Sequence, residues 1–462
     1  MIARCLILVL LLFASDLQSQ TISQLRLIGL HRTKPQIIYR ELGFEPGRPL
    51  AYSDSMKQIW QQRLQTSKLF NQVEIQPYSG GDTLTIDFLE RWYYWVQPEG
   101  GFADRNFHSW WKNRELSRLW MGGTLMVNNL LGEQKGLIFR AVLGYNQAFG
   151  LGVSVPFLKS RNCNSWLVLW ENQKNHEMGV NSIQNQWQFH RLNDGFVQDL
   201  SQLRIEWKRR FEFHQQLAVQ LKLQRFGVDT SAWLINPDLM LKDARLEMAN
   251  QKGLLNQNSI TLRVGGVRDT RNFIHYPTSG SEWKYGAMVY LQSMNGPMRN
   301  AFELESRYRK FHSISSRTSW AWMVLGRYRM GEVTYPLMRQ MGYGMDYVRG
   351  FESQVMDGNG LILSKLAYRY ALLPNNTKMK LRILPKAYEK IPIQAWFNIF
   401  ADVGRVLQPY QPNLNPLGNQ TLGSVGVGCD ALIYYDALVR TDLSFNPNFK
   451  RWVFNLTFYH AL

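Results

Sequence analysis

The sequence predicts an all-β transmembrane barrel of about sixteen antiparallel strands, preceded by an exported leader and one small α+β domain. Three observations carry this. Of the 462 residues, 13% are aromatic, with 16 Trp and 21 Tyr, yet mean hydropathy is only -0.29. No apolar run beyond the N-terminus approaches the roughly 18 residues that a spanning helix needs. Short segments alternating apolar and polar residues recur between turn signals through the C-terminal four-fifths. A barrel wall reconciles these facts: apolar and aromatic residues face lipid, and polar and basic residues face the lumen.

The charge balance is strongly basic, 53 Lys+Arg against 35 Asp+Glu, net +18. The basic residues are spread along the chain and not gathered into runs, which argues against nucleic acid as a partner. Outer-membrane lipid and lipopolysaccharide, rich in phosphate, are the partners such a surface suits. No G-x-S-x-G elbow, H-E-x-x-H or P-loop is present, so the expected class is not an enzyme. The eight His are scattered and neither remaining Cys has metal-ligand spacing; no metal and no cofactor is expected.

Residues 1–20 read as a signal peptide: Arg4 supplies the positive end, Cys5 to Ala14 the apolar core, and Ser15 to Gln20 a polar exit. Cys5 leaves with it. Cys163 and Cys429 remain, as a disulfide or as two free thiols.

Residues 21–92 read β-α-α-β-β. Ile22 to Gly29 alternates as a half-buried strand. Pro35 opens a short helix carrying Ile37, Ile38, Glu41 and Leu42, which stops near Gly43. Ser53 to Leu64 places Met56, Ile59, Trp60 and Leu64 at helical spacing. Phe70–Ile75 and Leu84–Phe88 are strands around a Gly80-Gly81-Asp82 turn. With "GLHRT" from Gly29, "REL.F.PG" from Arg40 and "LF..V.I" from Leu69, the segment resembles a POTRA (polypeptide-transport-associated) repeat, present once. An open edge on so small a sheet can pair with an extended segment of a partner through backbone hydrogen bonds.

Residues 93–462 read as the barrel. The aromatic run Trp92-Tyr93-Tyr94-Trp95 suits a membrane–water boundary. Leu217, Val219, Leu221 and Leu223 alternate with Ala218, Gln220, Lys222 and Gln224. Trp452, Phe454, Leu456 and Phe458 alternate with Val453, Asn455, Thr457 and Tyr459. At about 23 residues per strand and loop, about 365 residues give around sixteen strands.

Val348-Arg349-Gly350-Phe351 is the stretch around which this barrel is organised. Alone, an Arg among Val, Gly and Phe is a solvated turn. Phe400-Ala401-Asp402-Val403-Gly404 offers a carboxylate on a later strand, and an Arg reaching into a lumen needs such a partner. Its guanidinium suits a bidentate clamp better than a Lys would.

Val348–Phe351 resembles the VRGF/Y motif of the outer-membrane assembly and translocation superfamily, the BamA/TamA-like surface-antigen barrels. In that family the motif sits at the tip of a loop folded back into the barrel. Further segments resemble the family in order: Val127-Asn128-Asn129 with Gly132-Glu133, then Asp269 and Arg271 followed by Pro277 and Gly280, the "F.D.G" strand with Asp402, and Val425-Gly426-Val427-Gly428. Phe454, Phe458 and Tyr459 stand where the C-terminal assembly signal lies, although the last residue is Leu462. The resemblance implies a cell outer-membrane barrel with its POTRA domain in the periplasm. It would insert or translocate unfolded barrel or secreted client proteins through a lateral strand seam, with periplasmic or lipoprotein partners. The alternative is a passive pore or surface-complex scaffold without insertase activity.

Overall fold

The computed structural model describes residues 20–67, 69–76, 82–102, 119–155, 164–192, 194–212, 214–239, 254–293, 298–332, 334–373, 377–380, 390–433 and 437–460. The expected leader up to residue 19, Gly80, Gly81 and Cys163 lie outside them. The chain forms two compact units: the N-terminal part through Tyr94 together with Asn128–Lys135, and most of the remainder.

The first unit holds β1 (Gln20–Ile22), β2 (Gln24–Ile28), α1 (Pro35–Leu42), β3 (Leu50–Tyr52), α2 (Asp54–Thr66), β4 (Phe70–Ile75) and β5 (Thr83–Glu90). It is richer than the expected β-α-α-β-β. The first strand is broken at Ser23, and its leading piece β1 pairs with β3 between the helices. The other sheet has the order β2-β5-β4, with β2 parallel and β4 antiparallel to β5. Pro35 occupies the first turn of α1, where no backbone N–H is needed, and Gly43 ends it in the left-handed region at φ 70°. Ser53 caps α2 by accepting from the Met56 N–H at 3.3 Å. Ile38, Trp60, Leu64, Leu84 and Ile86 fill the core, whereas Ile59 faces outward.

Tyr93 differs from its expected place at a membrane boundary. It is buried against this core, its hydroxyl 2.8 Å from Thr33 Oγ1, while Trp92 and Tyr94 on either side are exposed. A buried phenol needs a partner, and Thr33, which also accepts from Asn129 Nδ2 at 2.9 Å, provides one. Glu90 completes the junction by accepting the backbone N–H groups of Thr33 and Arg32 at 2.8 and 3.1 Å.

Burial pushes the Glu90 carboxyl upward, but the hydrogen bonds from Thr33 and Arg32 outweigh it and leave its pKa below the ordinary glutamate range. Folding therefore favours the carboxylate. Its contribution is present above the unfolded pKa of about 4.3 and is lost as pH falls through the lower folded value. Glu90→Ala is expected to destabilise this junction by about 1–3 kcal/mol, since it orphans two backbone donors. Hydrogen exchange at the Arg32 and Thr33 amides is the measurement. The gap between wild type and variant should close once pH drops below that folded value.

Apart from Tyr94, Asn128–Leu130 and Lys135, which belong to the first unit, the second unit takes in β6 (Tyr94–Phe102), β7 (Leu119–Leu130), β8 (Lys135–Gly144), β9 (Asn146–Val155), β10 (Asn164–Asn175), β11 (Glu177–Ile183), β12 (Gln186–Arg191), β13 (Gln198–Glu212) and β14 (Gln215–Asp229). The short helix α3 (Thr230–Ile235) precedes β15 (Leu254–Asp269), β16 (Gly280–Ser293), β17 (Arg299–Ser313) and β18 (Thr318–Gly331). After α4 (Tyr335–Met338) come β19 (Arg339–Met341), β20 (Met356–Ala371), β21 (Lys378–Lys380), β22 (Lys390–Pro409), β23 (Leu422–Ile433), β24 (Ala437–Asn446) and β25 (Arg451–His460). These form a closed barrel in which β25 meets β6, with β11 and β12 as a separate hairpin. Two of its eighteen strands, β19 and β21, are three-residue stubs, which leaves sixteen long ones among the described residues.

Closure removes free edges, the condition for strands to cross a bilayer. The alternation then sorts the residues. Trp166, Val168 and Trp170, Leu262 and Val264, and Trp452, Phe454, Leu456 and Phe458 are exposed on the outside. Glu282, Glu303, Asp402, Asp430 and Asp442 are buried inside. Cys429, a free thiol, shares the outer face with Val425 and Val427.

Candidate functional site

The segment between β18 and β20 returns into the barrel. Its stub β19 pairs with the start of β20, and Met341, Val348 and Phe351 are fully buried among Leu325, Leu361, Leu363 and Leu422. That apolar contact places the backbone of Val348–Phe351 inside the lumen. Gly350 adopts φ 85°, and a Cβ there would sit 3.2 Å from the Ser444 side chain. Glycine meets both constraints. Asn446 Nδ2 donates to the Gly350 carbonyl at 2.8 Å and fixes the turn.

Arg349 and Asp402 are brought together. Nε and Nη2 donate to Asp402 Oδ2 and Oδ1 at 2.8 and 2.7 Å, and the Arg349 backbone N–H adds a third bond at 3.2 Å. The two residues are 6% and 4% exposed, so this is a bidentate pair withdrawn from solvent. The guanidinium carbon lies 3.4 Å above the Phe400 ring, and Nη1 is 3.8 Å from Asp442 Oδ1. Phe400 in turn lies over Gly426, where any Cβ would meet the ring at 2.6 Å. Gly404 leaves room for Val348, whose Cγ2 would be 2.9 Å from a Cβ there. Phe400, Asp402 and Gly404 alternate along β22 and share one face, supplying a shelf, a charge and a space.

A second ionic tie on the same segment escaped the sequence. Asp346 accepts from Arg307 Nη2 at 2.8 Å and from Arg327 Nη2 at 3.1 Å, on β17 and β18. Arg349 and Asp346 thus tie the segment to β22 on one side of β20 and to β17 and β18 on the other. Nothing local in the sequence marks Asp346.

No protein-family model and no curated protein matches the chain. Solved structures do. BamA from Haemophilus ducreyi lacking POTRA domains 1–3 is similar with a TM-score of 0.54 at 13% identity, over 95% of this chain and 83% of that one. The fold is that of the BamA and CdiB barrels. CdiB from Acinetobacter baumannii matches at 0.51 and 11% identity, and CdiB from Escherichia coli at 0.52 and 13%. Each covers 96% of this chain, and this chain covers 74% and 75% of them.

Within this BamA- and CdiB-like barrel the other sequence-predicted residues fall at two places. Arg271 bonds Asp269 with Nε at 2.8 Å and Nη2 at 2.6 Å, and Nη2 also reaches Glu282 Oε1 at 2.8 Å. The Pro277 carbonyl accepts from Arg369 Nη1 at 3.1 Å, and Gly280 begins β16 at φ 94°. This turn carries Tyr276 inward, where it stacks on Trp396 at 3.8 Å and donates to Asp430 Oδ2 at 2.8 Å. Phe454 and Phe458 face outward on β25, far in sequence from these pairs, and Tyr459 stands opposite Leu438 in register. Glu282, Tyr276 and Asp346 are the members that sequence reasoning missed, and Phe400, present in the "F.D.G" strand, had no role assigned to it. Phe400 alone had a signal, its parity with Asp402.

Proposed function

We propose that this protein inserts or translocates client polypeptides at the outer membrane, its first unit acting as a periplasmic POTRA domain. The observation that carries the reading is the buried Arg349–Asp402 clamp, which holds a returning segment inside a closed sixteen-stranded barrel of BamA and CdiB fold. The clamp keeps the barrel wall in shape while the seam between β25 and β6 opens sideways. In the first unit β2 is an edge strand with a single neighbour, β5, among the described residues. Its free backbone groups receive an extended client segment, an interaction indifferent to client sequence. The client's strands then pair with the exposed edges of the seam, so no covalent step is needed.

Reconstitution tests this. The full chain in liposomes is expected to speed membrane insertion of an unfolded barrel client, and deletion of residues 21–92 should remove most of that acceleration. Ion conductance without accelerated insertion would make the protein a passive pore. Neither activity, with co-purifying surface proteins, would make it a scaffold.

A further inference from the structure

Beside the clamp, with Arg349 in its lining, lies a cavity of about 470 Å³. Among its described lining residues, eight Arg and Lys side chains face three carboxylates, Glu282, Asp346 and Asp430. Most of these cations are matched. Glu282 takes Arg271, Arg309 and Lys284; Asp346 takes Arg307; Asp430 takes Arg440; and Arg349 is held by Asp402. Lys365 and Arg369 make no salt bridge among the described residues, although Lys365 stands opposite Asp402 in register and Asp430 lies within electrostatic reach of Arg369. Lys365 Nζ lies 4.4 Å over the Tyr347 ring, and Arg369 lies over Tyr276 with one N–H given to the Pro277 carbonyl.

These two cations are four residues apart on the inner face of β20, about 13 Å along the strand. Between them stands Ala367, whose register partner on β18 is Ala321, also small and also lining the cavity. Two methyl groups therefore floor the space that long side chains flank. Beside Arg369 in register is Asn398, 2% exposed, with both Nδ2 and Oδ1 lacking a hydrogen-bond partner among the described residues. A buried amide with both atoms unmet is a cost that a ligand would relieve.

We propose that this cavity binds a phosphate group, with Lys365 and Arg369 as its charge partners and Asn398 as its orienting contact. The chemistry selects phosphate over carboxylate. The cavity is strongly cationic, with eight Arg and Lys side chains to three carboxylates, and a phosphate monoester brings about −1.5 to −2 at pH 7 on three acceptor oxygens. Asn398 Nδ2 would donate to one of those oxygens, and Oδ1 would accept from a remaining P–OH. The group is either free phosphate or a lipid headgroup reaching the lumen.

Calorimetric titration of the folded, detergent-solubilised full chain with inorganic phosphate tests the assignment, with chloride at matched ionic strength as reference. Lysophosphatidic acid, set against zwitterionic lysophosphatidylcholine, forms the second arm. Saturable binding of phosphate in both forms, or of lysophosphatidic acid alone, is the expected result, and the second pattern identifies the source as lipid. Lys365→Gln and Arg369→Gln should each raise the half-saturating concentration about tenfold or more, and Lys365→Arg should retain binding. Ala367→Leu keeps every charge but fills the floor, and should abolish binding while the folded band on unboiled gels persists. Absence of saturable binding in both arms, or unaltered affinity in Ala367→Leu, overturns the proposal.

Discussion

Arg349→Ala is expected to cost the barrel about 3–5 kcal/mol, the usual consequence of leaving a buried carboxylate without its partner. Asp402 would lose two side-chain hydrogen bonds, and Asp442 its neighbouring positive charge at 3.8 Å. The shelf formed by Phe400 would face empty space where the guanidinium had been. The measurement is the temperature at which the compact band on unboiled gels gives way to the unfolded one, together with the amount of folded protein in membranes. Both should fall. Arg349→Lys is expected to be intermediate, because an ammonium cannot span both Asp402 oxygens and stack on a ring at once. Pairing Arg349→Met with Asp402→Leu should recover part of the loss, since it removes the stranded Asp402 charge while Asp442 still lacks its positive neighbour. Unchanged band stability in Arg349→Ala would dismiss the clamp as a structural tie, whatever the protein's activity.

The barrel was legible in the sequence because its physics is local. A strand with lipid on one side and lumen on the other must alternate, and Trp452, Phe454, Leu456 and Phe458 do so in four successive steps. The first unit was legible for the same reason at helical period, through Trp60 and Leu64. Its strand Leu50–Tyr52 is too short to show any period, and it exists because β1 needs a partner. The aromatic run around Tyr93 suits a membrane boundary, but Thr33, 60 residues earlier, decides its burial. The site is legible only where a motif groups its members. Asp402 was reached through resemblance, and Phe400 could have been reached through parity. Asp346 and Glu282 pair across strands whose register no local pattern encodes.

Glu282→Ala is the other large loss expected, again about 3–5 kcal/mol, and it separates two accounts of the turn between β15 and β16. Asp269 and Arg271 stand out in the sequence, yet the Asp269 side chain is 30% exposed and that of Glu282 is 1% exposed. Three cations, Arg271, Arg309 and Lys284, converge on Glu282. Removing it leaves all three in the lumen without their shared carboxylate, while Arg271 keeps its bonds to Asp269 and to the Ile274 carbonyl. Repulsion among them should push the turn out of the lumen and pull Tyr276 from its stack on Trp396. Tryptophan fluorescence and protease cleavage within residues 270–279 report that movement, and the folded-band temperature reports its energy. Glu282→Gln keeps the shape and loses the charge, so it should show most of the same loss. Asp269→Ala should be milder, because water can replace a partly exposed partner. A larger effect from Asp269→Ala than from Glu282→Ala would move the turn's support from the lumenal carboxylate to the local Asp269–Arg271 pair.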